Sequence, residues 1–162
     1  MKATALLKEQ HRTVEALFAK IEAGEPEALK DLASALAAHM TIEHELFYPE
    51  SREIDEDAIG EAFEEHAIAE LALKRALACD PEDETFDAKV TVLKELIEHH
   101  VEEEEGELFP EVESKLGAAR LEALGEKMEQ RFEQVLKKGY AATLPKNMED
   151  TAADRAQQQA AD

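Results

Sequence analysis

Apolar residues recur along most of the chain at alternating spacings of three and four, the period of a helix with one buried face. Breakers cut this pattern at Gly24-Glu25-Pro26, from Pro49 to Asp57, at Asp80-Pro81-Glu82-Asp83, at Pro110 with Gly117 after it, and at Gly139. The stretches between them predict helices over about 3–23, 26–48, 56–79, 84–108 and 118–138, with Pro26 in a first turn and Tyr48-Pro49 and Asp80-Pro81 as natural stops. The connections are short, so sequential helices become antiparallel neighbours. The expected architecture is therefore all-α: an up-down-up-down four-helix bundle with an additional C-terminal helix. That fifth helix carries Leu121, Leu124, Met128, Phe132 and Val135 on one face, which caps the bundle or forms a dimer contact. From Tyr140 onward the periodicity fades, and residues 139–162 are expected to be a flexible tail on a domain spanning 1–138.

Polar residues interrupt the apolar stripes at matching heights. The first stripe reads Leu7, His11, Val14, Phe18, Ile21, and the second Leu29, Leu32, Leu36, His39, Glu43. The third runs Ile59, Phe63, His66, Glu70, Leu73, Leu77, and the fourth Val90, Leu93, Ile97, His100, Glu104. Every bundle helix thus turns a histidine inward, and three also turn a glutamate inward. The second and fourth helices repeat one motif: His39 and Glu43 leading to Leu46 and Pro49 match His100 and Glu104 leading to Leu108 and Pro110. The bundle reads as two related helical hairpins.

An ionised carboxylate buried without a partner costs several kcal/mol or more, so inward glutamates among inward histidines call for a cation. A spacing of i to i+4 places His and Glu about 6 Å apart along the axis on one face. Each pair then reaches one metal or two adjacent ones. Imidazole with carboxylate suits iron, and manganese and zinc accept such donors too, although zinc's structural sites favour thiolates that this core lacks. A lone inward His11 or His66 is more often a satisfied core histidine; the repeat is what makes a ligand set. Neighbouring residues fall off the seam on an ideal helix. His44 and His99 are expected at the surface or behind the ligands, and Glu102, Glu103 and Glu105 on a solvated face. Phe47, Tyr48 and Phe109 are expected to pack the core, with Tyr48 a candidate hydrogen-bond donor to the site.

The charge balance narrows the partners. Asp plus Glu number 39 against 18 Lys plus Arg, a net charge of -21, which repels nucleic acid and anionic membrane surfaces. No stretch approaches the roughly 20 apolar residues of a membrane span. The single cysteine, Cys79, has no internal partner and is expected to be inert, and the opening residues do not read as a signal peptide, so a cytoplasmic location is the default expectation.

On His11, His39-x-x-x-Glu43, His66 and His100-x-x-x-Glu104, with the Leu-Phe-Tyr-Pro and Leu-Phe-Pro endings, residues 3–115 resemble the hemerythrin family, in particular the bacterial hemerythrin-like or HHE cation-binding domains. The resemblance implies a non-haem centre of two oxo- or hydroxo-bridged irons, with the four histidines as terminal ligands and Glu43 and Glu104 as bridges. It also marks a departure. Oxygen-carrying members have His-x-x-x-His on the third helix where this chain has His66-x-x-x-Glu70, and their last motif is longer and ends in Asp. Glu70 is therefore expected to fill the vacated position, to hydrogen-bond a water on the metal, or to turn to solvent. The implied partner is a small diatomic ligand or peroxide, with the chain a monomer or homodimer. Three functions follow as expectations: a binder or sensor of oxygen, nitric oxide or iron; a di-iron oxidoreductase acting on peroxide or nitric oxide; or a metal-free helical protein whose fifth helix docks a partner.

Overall fold

The computed structural model describes residues 1–148 and 150–161, and every regular element among them is helical. The bundle helices are α1 (Ala3–Glu22), α2 (Ala28–Ile42), α4 (Glu56–Leu77) and α5 (Phe86–Glu103). They form two hairpins, α1 with α2 and α4 with α5, in the up-down-up-down order expected. Asp55 starts α4 by accepting the Ala58 N–H at 3.0 Å, which satisfies one of the donors left open at a helix N-terminus.

Neither Pro49 nor Pro110 ends its helix. A five-residue π turn, π1 (Glu43–Phe47), follows α2 and runs into α3 (Tyr48–Ser51); π2 (Glu104–Leu108) follows α5 and runs into α6 (Phe109–Leu116). In each turn an N–H reaches five residues back, from Tyr48 to the Glu43 carbonyl and from Phe109 to the Glu104 carbonyl. The prolines fall in the first turn of the segment that follows, where a missing N–H is tolerated. The expected stops are thus widened turns, and the fourth helix continues to Leu116. Widening also changes which residues face inward, because side chains beyond the bulge rotate relative to an ideal helix.

Two apolar clusters sit above and below a polar layer. One joins Val14, Phe18, Leu32, Leu36, Leu73, Phe86 and Leu93. The other joins Leu7, Ile42, Phe47, Tyr48, Phe63, Phe109 and Val112. The inward histidines lie between them, as the interrupted stripes require.

The fifth helix, α7 (Ala118–Lys138), packs on the first hairpin. It buries Leu121, Leu124 and Met128 in the second cluster, and it is tied to the π1–α3 segment by Arg131 with Glu45 at 2.6 Å and Arg120 with Glu50. Gly125 permits the close approach: a Cβ there would lie 2.1 Å from the Met1 carbonyl oxygen.

The stretch expected as a flexible tail carries two further helices, α8 (Tyr140–Thr143) and α9 (Ala152–Ala161). Leu144, Thr151 and Ala153 are buried. Leu144 packs in the first cluster and Ala153 in the second, and the rest of what holds this segment to the bundle is polar and leaves no apolar period to read. Lys74 donates to the backbone carbonyls of Asn147 (3.0 Å) and Asp150 (2.6 Å), and Glu70 accepts the Ala152 N–H at 2.9 and 3.2 Å.

Candidate metal centre

Six side chains converge on the bundle axis between the two clusters. His11 comes from α1, His39 from α2, Glu43 from π1, His66 from α4, His100 from α5 and Glu104 from π2, and all are buried. They divide into two groups, His11, His39, Glu43 and Glu104 on one side and Glu43, His66 and His100 on the other, each with donor atoms within 4.8 Å of one another. Glu43 belongs to both: Oε1 lies 3.2 Å from His39 Nε2 and Oε2 lies 3.5 Å from His66 Nε2. Glu104 also spans the sides, with Oε2 at 3.4 Å from His11 Nε2 and 3.6 Å from His100 Nε2.

The donor set fits dications. Two donors held by one ion at about 2.1 Å are about 3.0–3.4 Å apart for bond angles between 90° and tetrahedral, close to the separations found. His11 Nε2, both Glu43 oxygens and Glu104 Oε2 are fully buried without a hydrogen-bond partner, a costly arrangement in a core unless a cation receives them. His66 Nε2 and His100 Nε2 face each other at 2.9 Å, so either a proton or an ion must lie between their lone pairs.

All four histidines present Nε2 inward because Nδ1 is engaged outward, the arrangement that orients metal-ligating imidazoles. His39 Nδ1 donates to Gln10 Oε1 at 2.8 Å, and His100 Nδ1 to Glu65 Oε2 at 2.6 Å. His11 Nδ1 donates to Glu105 Oε1 at 2.8 Å, while Arg12 also bonds that carboxylate. His66 Nδ1 pairs with His44 Nε2 at 2.8 Å, and with Nε2 of His66 turned inward, Nδ1 is the donor. These partners obey the internal repeat. Gln10 and Glu65 each precede a histidine, and His44 and Glu105 each follow a bridging-type glutamate.

His44 lies behind His66, one of the two places expected for it, whereas Glu105 leaves the solvated face expected of it. His44 is buried, stacked on Phe63 with ring centroids 4.9 Å apart, and Glu105 is half-buried against His11, because each sits in a π turn that swings it toward the core. Gln10 and Glu65 were not singled out in the sequence at all; their register just before His11 and His66 is the signal that identifies them. His99 does project outward, 62% exposed beside Glu65 and Glu103.

Glu70 takes none of its three expected roles. It is buried, pairs with Lys74 at 3.0 Å and caps α9. Burial pushes its carboxyl up, against the lowering effect of Ala152 and Lys74. Tyr48, buried in the second cluster, donates its O–H to Glu104 Oε1 at 3.1 Å and lies 3.4 Å from His66 Nε2. Burial and then the Glu104 charge hold its phenol well above the ordinary range, so it stays protonated.

Electrostatics in the metal-free protein follow the outer partners. Burial lowers His39 and His66 well below the ordinary imidazole value, reinforced by the positive charges of His11 and of His100. Burial opposes charge on His11 and His100 too, but there Glu104 and the outer carboxylates outweigh it, raising His11 and bringing His100 to about 9. Burial brings Glu43 to about 7 and raises Glu104, the latter also repelled by Glu43. His44, desolvated and repelled by the charge on His100, falls to about 3.

Residues 2–112 match the family model described as the hemerythrin HHE cation binding domain. Among solved structures, the chain is similar to a hemerythrin HHE cation binding domain-containing protein from Mycobacterium kansasii, at 29% identity and a TM-score of 0.76, over 85% of this chain and 89% of that one. No functionally curated protein matches it.

Proposed function

We propose, from the premise that this chain belongs to the family of hemerythrin HHE cation-binding domains, that its core holds two cations, iron in preference, and presents them to a small ligand such as oxygen, nitric oxide or peroxide. His11 and His39 would hold one ion and His66 and His100 the other, with Glu43 and Glu104 spanning both. The observation that carries this reading is the convergence of four Nε2 atoms and two carboxylates whose buried oxygens have no other receiver. Imidazole and carboxylate together match iron's preference for mixed nitrogen and oxygen donors. Bound iron would supply open coordination positions and electrons for a diatomic ligand or peroxide.

The chain's own residues define the surroundings. With Glu70 turned to Lys74, the helix that carries His66 offers one ligand, and the two sides are balanced at two imidazoles each. Tyr48 holds a proton at the centre's edge and is positioned to donate it to an incoming ligand. The apolar clusters exclude bulk water from both ends. A groove of about 700 Å³ along the α1–α5 seam, lined by His11, Arg12, Phe18, Ile97 and Glu105, would be the approach of a small molecule from solvent. Among the described residues no helix is long and apolar enough to cross a membrane.

Elemental analysis of protein purified without chelator tests the reading: two ions per chain are expected, falling to none in H39A/H100A. Protein that stays metal-free, with a thermal midpoint unmoved by ferrous ion, refutes it, since a ligand of the folded state must raise stability. Tyr48 favours a second reading, an oxidoreductase consuming peroxide or nitric oxide. Peroxide turnover by the iron-loaded protein, slowed in Y48F at unchanged metal content, would select the enzyme; a stable adduct without turnover would select the binder.

A further inference from the structure

The imidazoles of the centre are backed unequally: carboxylates hold His11 and His100, an amide oxygen holds His39, and His66 is held by another imidazole, His44. His44 is 8% exposed, and it lines a cavity of about 330 Å³ between π1, the end of α7 and the α8–α9 segment. Its Nε2 accepts the His66 Nδ1 proton, so its own proton sits on Nδ1. Among the described residues no group accepts that proton. Unlike the unpartnered atoms of the centre, this Nδ1 is not sealed from solvent, and the cavity is where it opens.

The charge around it is unusual for this chain. Acidic residues outnumber Lys plus Arg by 39 to 18, yet three cations and one carboxylate line the cavity. That carboxylate, Glu45, is already held by Arg131 through bonds of 2.6 and 2.8 Å. Arg155 is paired with Asp150, outside the lining, and Lys138 has no ion pair among the described residues. Val135, Pro145 and Ala156 add an apolar wall. A buried N–H at the floor, cations at the rim and an apolar wall between them match one chemistry, a carboxylate on a short carbon body. The volume lies at the lower end of the roughly 300–1,000 Å³ of small-molecule pockets, which favours a small ligand.

We infer that this cavity is a site for a small organic carboxylate, which accepts the His44 Nδ1 proton and pairs with Lys138 and Arg155. Bound there, it stands behind His66 at one remove and supplies through His44 the backing that Glu105 and Glu65 give directly to His11 and His100. Its occupancy stands on the cavity alone; its effect on the centre rests on the reading of the core as a cation site. A chain of hydrogen bonds polarises along its length, so a carboxylate at one end makes the imidazole at the other a better donor to a cation. By linkage, ion and carboxylate then tighten each other.

Calorimetric titration of the metal-free full chain with butyrate and benzoate, and with benzamide as the uncharged counterpart, tests the site. At least one carboxylate is expected to bind at a single site, and benzamide is not. K138E, which breaks no ion pair of the fold, is expected to weaken that binding at least about tenfold. K89E, the same reversal on the distant α4–α5 seam, is expected to bind as the parent does. Failure of both carboxylates to bind, equal binding of benzamide, or equal weakening in the two variants overturns the site. Chelator competition for ferrous ion then reads the coupling: the carboxylate that binds is expected to raise iron affinity about fivefold or more in the parent and not in K138E. Unchanged affinity in the parent overturns the relay through His44. A parent that binds carboxylate but takes up no ion refutes the cation reading and leaves the carboxylate site standing.

Discussion

The first hairpin supplies Gln10 and His44 as the outer partners of the centre, both neutral, whereas the second supplies Glu65 and Glu105, both anionic. The inner layer is the same in the two halves, histidine with glutamate one turn on, followed by a π turn. The outer layer is the same in position and different in charge. Because each π turn reaches across the bundle, the partners are exchanged: the second hairpin's Glu105 holds His11, and the first hairpin's His44 holds His66. Each side of the centre therefore receives one imidazole backed by a carboxylate and one backed by a neutral group. The lesson is that a cation constrains the donors that touch it strictly, while the groups behind need only accept the Nδ1 proton, and are free to tune how much charge the imidazole carries.

Ranked by effect on bound metal, the largest break in this comparison removes what the halves share. E43A/E104A deletes both spanning carboxylates and should abolish metal retention, read by elemental analysis, while far-ultraviolet dichroism stays helical. Next come the outer partners. E65Q and E105Q should each weaken metal affinity by about 10–100-fold, and Q10A and H44A should do less, because a carboxylate makes the imidazole it holds more basic. Chelator competition measures this, and equal losses in all four would show that the charge difference has no consequence.

Proton release sharpens the same contrast. With His100 at about 9, His11 raised above the ordinary imidazole value and Glu43 at about 7 in the metal-free protein, ion binding at pH 7 must displace protons from His100 and, in part, from His11 and Glu43. Affinity should therefore rise with pH by at least about tenfold per unit up to pH 9 and level off above it. Titration calorimetry in buffers of different ionisation enthalpy counts the protons; none released would contradict the charge assigned to His100. The smallest effect on metal is expected from E70A, which should leave the ion count unchanged. It removes one of the acceptors of the Lys74 ammonium and the acceptor of the Ala152 N–H, which should loosen α9 at a cost of about 1–3 kcal/mol and expose α8 and α9 to limited proteolysis.

The inward phase of His11, His39, Glu43, His66, His100 and Glu104 was legible from local information alone, because a helical period fixes which residues share a face and a core tolerates such groups only with a partner. So were the four bundle helices and the fifth. What required the tertiary structure were the two π turns, whose extra residue turns His44 and Glu105 inward against the ideal projection, and the fate of Glu70, which shares the seam phase with the ligands yet is claimed by Lys74 and α9. Periodicity assigns a direction to a side chain; which of several partners it meets there depends on segments distant in the chain, and only packing brings those within reach.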